Sequence, residues 1–226
     1  MSDDESTIQI SKIAAAQRQL DAAIRMFFQR EDELAIHTVA AAALQILRDV
    51  TKDRGDHFTS DVFREGILNF ARQYVQGTLS PDKRAMAEGS SYITELAERI
   101  CREGDNFDKR SIRVDISKKE EHELWLSETT VFLKHADRDP KGFLSVGRLD
   151  NERMLIGTCV AYVNLMNQQT PEIEAYHVFW RIKNGASINT EDEAQLLAEQ
   201  LQSMGEAQRY ARCAKFIRDA KAKKMK

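Results

Sequence analysis

Each of the three prolines in this chain stands where a helix would begin or end. Proline lacks a backbone donor and clashes with the turn before it, so confining it to boundaries leaves the chain free to run as long helices. Ser80-Pro81 and Thr170-Pro171 each pair a capping residue with proline at the first helical position. Pro140 ends a third segment, because the residue before a proline is driven out of the helical region. With only ten glycines in 226 residues, little else breaks the chain.

Between these boundaries apolar residues recur at three- and four-residue steps, the period of one helical face. Ile13, Ala16, Leu20, Ile24, Phe27 and Phe28 predict a first helix starting near Ser11. Glu31-Asp32-Glu33 opens a second, with negative charge suited to the helix N-terminus. Its core stripe is Ile36, Ala40, Ala43, Leu47 and Val50, and Ala40-Ala41-Ala42-Ala43 lets another backbone come close. Thr59 or Ser60 caps a third helix carrying Phe63, Ile67, Phe70 and Tyr74. Met86, Ile93, Leu96 and Ile100 follow Ser80-Pro81, with a kink or split expected at Gly89-Ser90-Ser91 and a stop at Gly104.

Residues 105–116 lose the helical period. Ile112, Val114 and Ile116 alternate with polar neighbours, but a single strand has no partner, so a packed loop is expected. Ser117 to Glu120 and Thr190 to Glu193 are capping boxes, with the N-cap hydroxyl three residues before a glutamate. Asp150 caps a helix with Met154, Leu155, Cys159, Tyr162 and Met166. Thr170 caps one with Ile173, His177 and Trp180, closed by Gly185, and Gly205 interrupts the last stretch. The expected fold is all-α: an antiparallel helical bundle over residues 11–185, a disordered N-terminus at 1–10, and C-terminal helices with a basic arm at 190–226.

Hydrophobic residues make up 42% and charged residues 31%, a balance that supports a core and excludes a disordered chain. Cys101, Cys159 and Cys213 are too few and too far apart for a disulfide framework or a zinc site, which fits a reducing, cytoplasmic setting. The opening Met1-Ser2-Asp3-Asp4-Glu5 is acidic, unlike a targeting segment. The apolar runs 35–47 and 154–166 fall short of the roughly 20 residues a bilayer requires, so no membrane span is expected. The net charge of −3 is unevenly placed: residues 206–226 carry eight Lys and Arg against two acids, leaving the rest of the chain acidic. Such polarity steers charged partners.

Charged chemistry concentrates at Phe132-Leu133-Lys134-His135-Ala136-Asp137-Arg138-Asp139-Pro140. There the end of a helix favours a protonated histidine, and Lys134 and Arg138 add positive charge. The cluster suits phosphate binding or general acid–base work by His135. The same residue types also make an ordinary helix stop with local ion pairs. His37, with Ala41, Leu44 and Arg48 on one side of its helix, either shares a pocket with His135 or is a hydrogen-bonded core residue. On the basic arm, Arg209, Arg212, Lys215, Arg218, Lys221 and Lys224 recur at steps of three around a narrow apolar side of Cys213, Phe216, Ile217 and Ala220. This row either contacts phosphates or an acidic partner, or is a solvated face. A di-iron bundle needs two E-x-x-H pairs, and only Glu174 to His177 supplies one. With the phosphate-loop and hydrolase motifs also missing, neither metal nor cofactor is expected.

The alanine-rich segment 36–49 and the segment 132–140 together resemble a bacterial helical family similar in layout to HEPN-like domains. In those domains an alanine-rich helix packs against a later helix that ends in an Arg/Asn/His motif. The resemblance covers residues 11–167. It implies RNA cleavage or nucleotide binding in a defence or toxin–antitoxin setting. The nuclease signature of those domains is an Arg four to six residues before a His. Here no Arg precedes any of the five histidines at that spacing, and Lys134-His135 stands in its place.

Three functions follow as expectations. The first is a cytosolic binding module that engages nucleic acid or a nucleotide through Lys134, Arg138, Arg209, Arg212, Lys215 and Arg218. The second is a metal-independent endoribonuclease with His135 as catalytic group, aided by His37 and Lys134. The third is a structural protein, a homodimer or protein partner joined through the alanine-rich helix.

Overall fold

In the computed structural model, residues 9–54, 58–114, 117, 132–133, 141, 143–144, 149–185 and 193–224 are described. Among them nine α-helices are delimited, joined in one place by two 3-10 turns, and no strand occurs. They are α1 (Lys12–Gln29), α2 (Glu33–Asp53), α3 (Phe58–Val75), α4 (Pro81–Glu88), α5 (Ser91–Glu103), α6 (Asn151–Met166), α7 (Pro171–Lys183), α8 (Glu193–Gln202) and α9 (Glu206–Lys224). The all-α reading therefore holds. Most of the helix expected after Ser117, the Thr190 cap and residues 1–8 lie outside the described residues.

Local chemistry sets the boundaries. The side chains of Ser11, Asp32, Ser90, Asp150 and Thr170 each accept a hydrogen bond from the backbone N–H three residues on, as N-caps do. At α1 that bond is Ala14 N to Ser11 Oγ at 3.1 Å, and at α2 it is Ala35 N to Asp32 Oδ1 at 2.9 Å. α1 stops at Arg30 and α6 at Asn167, both in the left-handed conformation. Gly104 closes α5 at φ +54°, a conformation that favours glycine. The expected split falls between Gly89 and Ser90 and separates α4 from α5.

The main core is formed by α1, α2, α6, α7, α8 and α9. α2 packs its alanines Ala40, Ala41 and Ala43 together with Leu44 and Leu47 against α1 and α6. By length and mean hydropathy (1.2), α2 is the one described helix that could cross a membrane, and its apolar side is buried here in protein. α1, α7 and α9 meet in an aromatic cluster of Phe27, Phe28, Tyr176, Phe179 and Tyr210. Ring centroids lie 5.0–6.3 Å apart, mostly edge to face. Such pairs add about 0.5–1.5 kcal/mol each beyond the area they bury. Leu197, Leu201, Cys213, Phe216 and Ile217 belong to this same core, so α8 and α9 are seated on the bundle.

A smaller core joins α3, α5 and the following loop through Leu68, Ala71, Leu96 and Ile112. That loop is packed, as expected, and is built from the turns Gly104–Asn106 and Lys109–Ser111, with Ile112 only 1% exposed. Two side-chain expectations differ here. Phe63, Ile67, Phe70 and Tyr74 are half-buried, and Leu68 and Ala71 carry the α3 contact. α3 touches α5 on one side and α6 on another, so it has no single apolar stripe. Met86 is 67% exposed and Ala87 is buried instead, because the break at Gly89-Ser90 uncouples the face of α4 from that of α5.

Candidate functional site

His37 lies in the core where α2 meets α6, 3% exposed. Its Nδ1 is 3.1 Å from Asn151 Oδ1, while Asn151 Nδ2 donates to the Glu33 carbonyl at 3.0 Å. The second bond fixes the amide orientation, so Asn151 presents its oxygen and His37 Nδ1 is the donor. Burial pushes the His37 pKa down, and the Asn151 bond opposes that only in part. A neutral imidazole locked between two helices serves packing and register. Lys134, His135 and Arg138 lie outside the described residues.

The cations of α9 divide by role. Arg209 Nε donates to the Leu201 carbonyl at 2.9 Å, near the end of α8, where the Met204 N–H also donates to it at 3.3 Å. Arg212 Nε donates to Gln200 Oε1 on the same helix. Lys221 pairs with Glu172, and Lys223 with Glu193. Lys215 and Arg218, three residues apart, are exposed. The three-residue row read from the sequence thus separates into fold-holding members and two solvent-facing cations, with the Lys224 side chain outside the described residues.

A buried acid anchors this helix. Glu172, in the first turn of α7, is 0% exposed, and its Oε1 takes both Arg25 from α1 and Lys221 from α9. Its Oε2 is buried without a hydrogen-bond partner among the described residues. Beside it, Thr170 Oγ1 donates to Asp21 Oδ1 at 2.6 Å while accepting from Ile173 N at 3.2 Å. Burial raises the Asp21 pKa, opposed by the Thr170 bond. Tyr162 Oη donates to Gln17 Oε1 at 2.9 Å nearby. The network ties the ends of three helices together and explains why Lys221 is not free for a ligand.

A different pair of cations lies on the far side of α7. Arg181 shares an open groove of about 390 Å³ with Arg72 of α3. One turn earlier, His177 is partly buried, with its Nε2 enclosed and unpartnered among the described residues, and its pKa falls to about 4 through burial and then through the Arg181 charge. Sequence reading passed over Arg72 and Arg181, since neither belongs to a charge cluster and 109 positions separate them. No group of three or more His, Cys, Asp or Glu side chains among the described residues is placed to hold a metal. The thiols of Cys159 and Cys213 are buried, with pKa values driven up by desolvation. No protein-family model, curated protein or solved structure matches the chain.

Proposed function

We propose that this protein is a helical binding module for phosphate-bearing polymers, engaging single-stranded nucleic acid through the outer edge of α9. The observation that carries this reading is the pairing of Lys215 and Arg218, exposed, with Cys213, Phe216 and Ile217, buried on the same helix. A helix fixed by its apolar side holds its cations in register without losing further chain entropy when it binds.

A HEPN-like, antiparallel arrangement is part of the proposal. It is supported by the short connection at residues 30–32, which returns α2 along α1, and by the burial of the alanine-rich helix against α1 and α6. Binding without cleavage is the better-supported version. His37, one of the three groups that the ribonuclease alternative invokes, is sealed and hydrogen-bonded. Dimerisation through the alanine-rich face has less support, since Ala40, Ala41 and Ala43 already pack within the chain.

The test is a titration of a labelled single-stranded RNA between 50 and 200 mM salt. Each phosphate contact contributes about −0.7 to the slope of log affinity against log salt for single strands, so replacing Lys215 and Arg218 by alanine should flatten the slope by roughly 1.4. Salt-independent binding, or an unchanged slope in the double variant, would contradict the proposal.

A further inference from the structure

Two guanidinium groups placed on one groove repel each other unless something anionic lies between them. Arg72 comes from the last turn of α3 and Arg181 from the last turn of α7, and among the described residues neither is in an ion pair. Nearby Glu65 is already engaged by Lys109 at 3.4 Å. The one carboxylate on the groove wall is Asp105, so two positive charges face one negative charge there. The remaining polar wall is amide: Asn69 and Gln73 of α3, and Gln76 just beyond its end. Arg181 is half-buried, and its pKa is lowered first by burial and further by Arg72, while Glu65 opposes the shift. The fold thus keeps two like charges together, one of them partly desolvated, and gains no ion pair from either.

We infer that this groove between α3, α5 and α7 binds a small phosphate monoester of nucleoside-monophosphate size, its phosphate held by Arg72 and Arg181. Guanidinium groups are suited to this role because their planar forks match two phosphate oxygens at once. Asp105 and the three amides then supply acceptors and donors for the hydroxyl and amino groups of the organic part. The volume of about 390 Å³ falls at the small end of the range for small-molecule sites. The site is separate from the α9 surface and does not depend on it.

The test is calorimetric titration of the full-length chain with adenosine monophosphate, with adenosine and with inorganic phosphate. Adenosine monophosphate should bind at least about tenfold more tightly than either of the others, because neither fills both halves of the groove. Arg72→Gln and Arg181→Gln should each weaken it by about tenfold or more, the scale of a lost charge-assisted hydrogen bond. Circular dichroism checks the folding of both variants, and the exposed Arg72 keeps the test valid should the Arg181 variant misfold. Lys215→Ala with Arg218→Ala should leave this affinity unchanged, so failure of the α9 proposal and failure of this one are separable. No binding by the wild-type chain at millimolar nucleotide, equal binding by the Arg72 variant, or equal affinity for inorganic phosphate would each overturn the inference.

Discussion

The α1, α2, α6–α9 bundle and the α3–α5 lobe are both helical, yet they are held by different physics. In the bundle, wholly buried Leu, Ile and aromatic side chains interlock across six helices, and the few buried polar groups include the hydrogen-bonded His37–Asn151 pair and Glu172 with its two cations. In the lobe, among the described residues, Leu68, Ala71, Leu96 and Ile112 form the buried cluster. Arginines do much of the fastening there. Arg64 Nε donates to the Ile112 carbonyl at 3.1 Å, and Arg99 donates to Ser111 Oγ at 2.9 Å and lies 5.3 Å from the centre of the Phe107 ring. Such solvent-accessible contacts contribute little each, so the lobe should open at a lower free energy than the bundle. The Arg72–Arg181 groove lies where the two meet, with one arginine on each side. Binding regions are commonly drawn from the less stable part of a fold, and a ligand there would tie lobe to bundle.

The comparison can be broken most forcefully in the bundle. Phe179, 1% exposed, touches four other rings. Phe179→Ala should cost about 3–5 kcal/mol in a urea melt, through lost burial and the cavity left behind. A loss below 1 kcal/mol would mean that the aromatic cluster does not hold α1, α7 and α9 together.

The next effect is a pH dependence. His177 has a folded pKa of about 4 against 6.5 for the unfolded chain. Above pH 6.5 it is neutral in both states and contributes no slope. Between 6.5 and 4 the unfolded chain takes up the proton and the folded protein does not, so stability is lost as pH falls across that window. The full loss is up to about 3 kcal/mol, levelling off below pH 4. His177→Gln should flatten this part of the stability curve, and an unchanged curve in the variant would refute the assignment.

The smallest effect sharpens the contrast. Leu68→Ala should cost about 2 kcal/mol, the low end for such a truncation, because the small core can relax around it. The loss should appear as faster amide exchange confined to α3, α5 and the loop to Val114. Equal acceleration in α1 and α2 would show that the lobe is no separate cooperative unit.

How far the sequence revealed this arrangement depended on how local the cause was. Asp150 and Thr170 act on backbone groups three residues away, so their caps were legible at once, and the starts of α1 near Ser11 and of α2 at the Glu31–Glu33 cluster were legible for equally local reasons. The stripes of α1 and α2 were legible because each helix buries one broad face. α3 was misread because it contacts neighbours on two sides, and Met86 because a break intervened before the rest of its supposed stripe. The candidate sites depended on distant pairings. Nothing local shows that Asn151 meets His37, that Glu172 captures Lys221, or that Arg72 and Arg181 share a groove. Even spacing along the basic arm concealed the division between Arg209 and Arg212, which hold α8, and Lys215 and Arg218, which face solvent.

Hydrogen–deuterium exchange on the full chain at neutral pH, followed residue by residue, tests the two-part account most directly. Amides of α3 and α5 should exchange through an opening at least about 1.4 kcal/mol less costly than that of α1, α2 and α7, a tenfold difference in population. A single common protection factor across all of these helices would contradict it.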